Sequence, residues 1–323
     1  MVNTSILILT KNEAENIATC LNIVYSQKAA DPFEVIIVDS GSVDATLQIA
    51  REYPVRIERI PAESFHHART RNFAANLANG QILVFLVADA IPVADKWLQA
   101  LVQNFDDPSV GAVYGRQLPK NGSSLERQDA LETVYGCKKI VKDPAQPNGL
   151  GYRFYHFSDV NAAIRRSVWE TTGFPEELRV FEDLGIAKRI LDGGWKIVYE
   201  PESAVFHSHH HTTIGLFKRY FDIGYTLQAL EIWDAPGTRK SMLRDVWNLM
   251  KKKLARAGEK DGGRFVGEGL RQDIIKSAGL LLGLKQNYIP LTLKRELSAF
   301  RVFDEKVDGP SRNKDRNAGL TVL

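Results

Sequence analysis

The first two thirds of the chain alternate short, continuously apolar runs with longer segments patterned at helical spacing. Ser5 to Leu9, Glu34 to Val38 and Ile82 to Val87 are rich in strand-forming residues and nearly all apolar, and Val55 to Ile60 looks like a further strand with charged residues interleaved. Runs of this kind are expected of strands covered on both sides of a parallel sheet. Between them lie helix-compatible segments. Thr10 to Glu13 fits a capping box for a helix running towards Tyr25, Asp44 can cap a helix reaching Arg51, and Gly80 can close a helix from about Arg69 to Ala78. Strands alternating with helices predict βαβ units and an α/β fold built on a mostly parallel sheet.

Two of the strands stop abruptly at an acid, Asp39 after the second and Asp89 after the run ILVFLV. The carboxyl ends of strands in open α/β sheets face the crevice where ligands bind. Either acid can equally cap the next turn, so neither fixes a function alone.

Further along, Asp95 to Phe105 is amphipathic, and Gly111 to Tyr114 and Val160 to Ile164 are strand-like. Glu182 to Leu191 is helical up to Gly193 and Gly194, and Lys196 to Tyr199 and Ala204 to His207 read as two short strands. Lys120 to Gly151 mixes glycine, proline and charge without a period and reads as a mobile loop region near the site. From Leu216 onwards the pattern is helical. Met242, Val246, Leu249, Met250 and Leu254 recur at helical spacing beside Lys251 to Lys253, and Ile274 to Leu284 adds a second apolar segment, interrupted by Lys276 and glycines. Lys306 to Asn317 is polar throughout and reads as a frayed end.

Composition narrows the class without naming it. With 44% hydrophobic and 25% charged residues in 323, the chain is an ordinary globular one, large enough for an α/β domain and an appendage. No secretory leader pattern precedes Ser5, and no apolar run approaches the ~18 residues that span a bilayer. Cys20 and Cys137 match neither a metal spacing nor a disulfide framework, which points to a reducing compartment. Charge is unevenly spread: 18 Lys and Arg face 10 Asp and Glu from Lys240 on, against 24 and 29 in the remainder. The basic tail suits a solvated helical surface or an anionic membrane equally. It lacks the aromatic interleaving or reading motif of a nucleic-acid binder.

No GxGxxG follows the first strand and no GxxxxGK[ST] occurs, so a diphosphate here would need a divalent cation on carboxylate oxygens. At this point four blocks become informative: TKNEAENI from Thr10, VDSGSVDAT from Val38, HARTRNFAANLANGQILVFLVADAIP from His67 and FEDLGIAKRILDGGWKIVYEPESAVFHSH from Phe181. In order and spacing they resemble the family 2 glycosyltransferases of GT-A fold, over roughly Ser5 to Gly224. RQLP at Arg116, HSHHHT at His207 and FKRYFDIG at Phe217 are more particularly similar to bacterial rhamnosyltransferases of polysaccharide synthesis.

The resemblance implies a Rossmann-like catalytic domain over 1–215, a helical region over 216–305 with a membrane or subunit contact, and a polar tail over 306–323. It implies an inverting transferase, cytoplasmic or at the inner face of the membrane, that takes a sugar from a dTDP- or UDP-sugar to a saccharide or lipid-linked acceptor. Position by position, Thr10, Asn12 and Glu13 would border the nucleotide, Asp39 would bond the pyrimidine base, and Arg71, Asn72, Ala88 and Asp89 would flank the diphosphate. Asp89 is the last acid of the DxD motif; Val87 stands where the first acid would be. Asp89 and His207 would hold Mg²⁺ or Mn²⁺. His66 and His67 suit the donor phosphates by position, and His209 to His211 form a local cluster that reads as a polar turn. Asp183 would be the catalytic base, with Glu182 and His66 lining the acceptor side and Trp195 packing either beneath that side or in the core. A degenerate module that binds nucleotide or glycan without catalysis is the competing reading, and a homo-oligomer is compatible with the helical tail.

Overall fold

The computed structural model describes residues 3–28, 32–123, 125–147, 150–178, 180–208, 212–255, 262–300 and 303. Its first half follows the apolar runs. Strands β1 (Thr4–Thr10), β2 (Phe33–Asp39), β3 (Arg56–Arg59) and β4 (Ile82–Val87) alternate with helices α1 (Ile17–Tyr25), α2 (Thr46–Ala50) and α3 (His67–Leu77). All three strand pairings, β1 with β2, β1 with β4 and β2 with β3, are parallel. Successive residues point to opposite faces, and both faces are covered. Leu7, Ile36, Val38, Leu83 and Phe85 enter one core layer; Ile6, Ile8, Ile37, Val84 and Leu86 enter the other.

Beyond β4 come β5 (Ile91–Pro92), α4 (Trp97–Val102), β6 (Val110–Leu118), α5 (Leu125–Val134), β7 (Ile140–Lys142), β8 (Asn161–Arg165), α6 (Arg166–Thr172), α7 (Glu182–Asp192) and β9 (Lys196–Phe206). The strand order is β3-β2-β1-β4-β8-β6-β9-β5, with β7 pairing β9. β8 is antiparallel to both β4 and β6, and β6 is parallel to β9. The sheet is therefore mixed, with a parallel first half. Its consequence is geometric: the carboxyl ends of β1, β2, β4, β6 and β9 share one edge, where the antiparallel β8 begins. Helix α7, which leads back to the start of β9, has its amino terminus at that same edge.

Several local expectations change. Thr10 ends β1 rather than capping a helix, Asn12 is left-handed at φ 55, and the helix proper begins at Ile17. The polar groups of this loop are spent on its neighbour instead. The Asn12 N–H donates to Ser42 Oγ at 2.8 Å, the Glu13 N–H to Thr46 Oγ1 at 2.7 Å, and Asn12 Oδ1 accepts from the Val43 N–H at 2.9 Å. Gly80 does not cap α3, which turns out through Ala78 in extended conformation. It is needed because a Cβ there would lie 2.6 Å from the Ser5 nitrogen. The two expected strands before His207 are one strand, β9, with a register shift against β6 between Gly115 and Arg116. The segment read as a loop from Lys120 contains α5 and β7, two short elements whose mixed composition hides any period.

The carboxyl-terminal helices are α8 (Thr213–Ala229), α9 (Thr238–Ala255), α10 (Gly262–Leu284) and α11 (Leu291–Leu297). The glycines that interrupt the apolar run of α10 are contact points. A Cβ on Gly283 would fall 2.0 Å from the Phe221 carbonyl oxygen and one on Gly279 2.4 Å from that of Phe217, so α8 and α10 cross backbone to backbone. No helix among the described residues is long and apolar enough to cross a membrane. The polar end and the cluster His209 to His211 lie outside the described residues.

Candidate active site

The shared sheet edge gathers two groups of polar side chains. The first surrounds Asp89, two residues beyond β4. His207, directly after β9, brings Nε2 to 3.7 Å from Asp89 Oδ2, and Lys120, just past β6, brings Nζ to 3.3 Å. His207 Nδ1 lies 2.9 Å from Gln117 Oε1. The Gln117 amide nitrogen donates to Tyr135 Oη at 2.7 Å and to Ser158 Oγ at 2.8 Å, which fixes its oxygen as the acceptor. The proton of a neutral His207 therefore sits on Nδ1 and the lone pair of Nε2 faces Asp89. Lys120 is held too: its N–H donates to Ser208 Oγ at 3.2 Å, next to His207.

This donor set suits a divalent cation that brings most of its own ligands. One carboxylate and one imidazole with its outer nitrogen fixed are appropriate for Mn²⁺ or Mg²⁺ already carrying phosphate oxygens. Among the described residues no group of three or more His, Cys, Asp or Glu could hold a metal by itself.

On the nucleotide side, Asp39 is fully buried. Its carboxylate accepts from the N–H groups of Gly41 and Ser42, each at 3.1 Å, and Arg59 Nε stands 3.6 Å away. The acid expected to bond the base thus also shapes the turn after β2. Thr10 pairs with Asp39 in register, and its buried Oγ1 has no hydrogen-bond partner among the described residues. Glu13 lies within electrostatic reach of Asp89; burial raises its pKa, its bond from Asn16 opposes this, and Asp89 adds to the rise. Ala88 is buried and extends the pairing of β4 through its N–H to the Leu9 carbonyl at 3.4 Å.

The second group is buried and dense in charge. Arg71 on α3 binds Asp159 through Nε at 2.6 Å and Nη2 at 2.9 Å, and Glu182 through Nη1 at 2.9 Å. All three side chains are almost inaccessible. Asp159 precedes β8, and Glu182 opens α7 beside Asp183, so the topology delivers three acids and one guanidinium to one place. The dipole of α7 favours acids in its first turn, and Asp183 Oδ1 accepts from the Leu184 N–H at 2.7 Å. Burial, then the charges of Asp159 and Glu182, push the Asp183 carboxyl well above the usual range. Burial also pushes Asp159 up, while Arg71 pulls it back. His67 stands 3.6 Å from Glu182, but burial and the Arg71 charge push its pKa down to about 4, so it is neutral at physiological pH.

Four of the expected site residues have structural partners of their own. Arg71, expected beside the diphosphate, has its fork engaged by the carboxylates of Asp159 and Glu182, the other anion it fits. Asn72 clips α3 to the turn after α6: Oδ1 accepts from the Phe174 N–H at 2.9 Å and Trp169 Nε1 at 3.1 Å, and Nδ2 donates to the Phe174 carbonyl at 3.0 Å. His66 is the amino-terminal cap of α3, its side chain accepting from the Arg69 N–H. Trp195 lies beyond the far end of α7, some ~15 Å along the helix from Asp183, and packs against the core and Gly111. Sequence reasoning missed Asp159, Gln117 and Lys120. Of these, Asp159 alone left a trace, as an acid opposite the other strand-end acids at the start of an apolar run.

Comparison with known proteins agrees with the topology. The family described as "Glycosyl transferase family 2" matches residues 5–173. The chain is similar to the O-antigen chain rhamnosyltransferase RfbN of Salmonella typhimurium, with 32% identity over 86% of this chain and 88% of that protein. It is similar to the same degree to WbaN of Salmonella anatum, 32% identical over 86% and 88%. Among solved structures it resembles the mannosyltransferase PcManGT of Pyrobaculum calidifontis, solved in complex with GDP-Man and Mn²⁺, at a TM-score of 0.57, with 20% identity over 89% of this chain and 87% of that one. That likeness carries the GT-A fold.

Proposed function

Because the chain belongs to glycosyl transferase family 2, we propose that it moves a sugar, with inversion, from a pyrimidine nucleoside diphosphate to a saccharide or lipid-linked acceptor in cell-surface polysaccharide synthesis. Rhamnose is the sugar that the names of the two Salmonella relatives favour. The observation that carries the reading is the placement of Asp183, an acid of raised pKa, at the same strand edge as Asp89, His207 and Lys120. In a single displacement the acceptor hydroxyl gives its proton to the Asp183 carboxylate as its oxygen bonds C1, and the C1–O bond to the diphosphate breaks on the opposite face. One base suffices, because the leaving group is stabilised by positive charge rather than by a proton.

Asp89 and His207 would hold a divalent cation, which supplies Lewis-acid stabilisation of the departing diphosphate when bound. Lys120 adds a fixed positive charge on the same side, beside the one acid that the motif retains. Arg71 pulls the Asp159 carboxyl down and, with Asp159 and Glu182, acts on the charge of Asp183. The division into a catalytic domain up to about 215 and a helical region beyond belongs to the same reading. So does a peripheral membrane contact: Leu243 and Trp247 on α9 and Ile274 and Leu281 on α10 are exposed, with Lys251 stacked on Trp247 at 5.4 Å.

A screen of dTDP-, UDP- and GDP-sugars for hydrolysis by the purified protein, with the anomer of the released sugar read by NMR, tests the proposal. Hydrolysis of one pyrimidine donor with inversion is expected. Absence of turnover with every donor, despite nucleotide binding, would favour the non-catalytic module.

A further inference from the structure

The acids of α7 are introduced by a backbone that a phenylalanine resists. Phe181, the amino-terminal cap, sits at φ 57 and ψ 35, the left-handed region that bulky side chains avoid. Strain of this kind persists where a site uses the side chain. The Phe181 ring is half-buried, carries the Arg219 guanidinium 5.2 Å above it, and stands 6.4 Å from Phe300 at an angle of 76°. Phe300 in turn lies 6.3 Å from the ring of His67, which is 4.8 Å from Phe65 and 3.6 Å from Glu182. An aromatic wall therefore borders the carboxylates, although its members come from opposite ends of the chain.

A buried acid that the transfer chemistry does not use holds Phe300 there. Asp222 on α8 is fully inaccessible, and its Oδ2 accepts from the N–H groups of Ala299 at 2.9 Å and Phe300 at 3.3 Å. Burial pushes this carboxyl up to about 6. A buried carboxyl is costly unless its bonds matter, and these bonds fix the backbone of Phe300. Phe303 fastens the other side by packing on Phe221 and Tyr225.

We propose that Phe181 and Phe300, with Phe65 beside them and Arg219 behind, form the acceptor subsite: a platform for the apolar face of a pyranose ring that presents one hydroxyl to Asp183. The axial C–H groups of a pyranose carry partial positive charge and the face of an aromatic ring is negative, so the two stack. Arg219, stacked on the far face of the Phe181 ring, holds that ring in place. Aromatic lining with a few oriented polar groups is the usual make-up of a small-molecule site. The proposal rests on the glycosyl-transfer reading, and its test reads saccharide binding separately from nucleotide binding.

Saturation-transfer NMR on the full chain, with the methyl glycosides of glucose, galactose, mannose and rhamnose as probes, tests it. Calorimetry with dTDP and UDP is run on the same samples. At least one glycoside should take up saturation on its ring C–H protons with the wild type and with Phe300→Trp. The signal should fall about fivefold or more with Phe300→Leu, which keeps the apolar bulk and removes the ring face, while nucleotide binding stays unchanged. Equal saturation in Phe300→Leu, or none from any glycoside with the wild type, would overturn the subsite. Glycoside binding without nucleotide binding would leave the subsite standing and sink the transfer reading instead.

Discussion

The two groups of polar residues at the sheet edge are built on opposite principles. Around Asp89 there is one acid, one imidazole and one lysine, with the acid and the lysine reachable by solvent. Around Arg71 two acids and the guanidinium are already packed out of water with Asp183 half-buried beside them, and their charges act on Asp183 before any ligand arrives. The donor side borrows its electrostatics from what it binds; the base side carries its own. A displacement by a neutral hydroxyl calls for both. The diphosphate has to be neutralised only when it is present, whereas the base has to hold a raised pKa before the acceptor comes.

The sharpest way to separate the two sides is at Asp183. Asp183→Asn should lower transfer by several orders of magnitude and leave nucleotide affinity unchanged in calorimetry; equal turnover would remove its assignment as the base. Next in size is Arg71→Met. It strands Asp159 and Glu182 as buried carboxylates, and breaking a buried ion pair costs about 3–5 kcal/mol, so thermal or urea unfolding should register a large loss. An unaffected melt would show that the base side does not depend on its own charge balance.

The pH dependence comes third. Asp183 must be ionised to accept a proton, and its pKa is raised, so kcat should rise with pH along a limb well above the ordinary carboxylate value of ~3.9. Asp159 is one of the charges that raises it. In Asp159→Asn the limb should therefore move to lower pH, and a shift upward would contradict the sign. The smallest effect is expected at Lys120. Lys120→Met should weaken diphosphate binding by roughly tenfold, with increased dependence on added cation, while leaving the pH limb of kcat in place. A change in that limb would mean that the two sides are electrostatically joined.

Much of this could be read from the residues because continuous apolar runs identify doubly covered strands, and strands ending in Asp39 and Asp89 locate the edge. The resemblance added Asp183 and His207 at the same edge. What escaped was decided by packing. A guanidinium fits a diphosphate and a carboxylate pair equally well, so the pairing of Arg71 was not legible; only β8, running antiparallel, reveals that Asp159 is its partner. Asn72 and His66 look like site residues in sequence because polar side chains on a helix near a ligand edge do, yet His66 caps its own helix and Asn72 ties that helix to the distant Phe174 backbone. Lys120 and Gln117 lie at the end of a strand and in a stretch without a period, where pattern carries no information. In α10, glycines that read as interruptions of an apolar segment are the points where two helix backbones meet.

The central claim is that a cation-dependent nucleotide diphosphate is bound at Asp89, and calorimetric titration of dTDP tests it most directly. The titration would be run with and without Mg²⁺ or Mn²⁺, on the wild type and on Asp89→Ala. The account predicts binding that needs both the cation and Asp89. Absence of binding in the wild type, or binding untouched by the loss of Asp89, would contradict it.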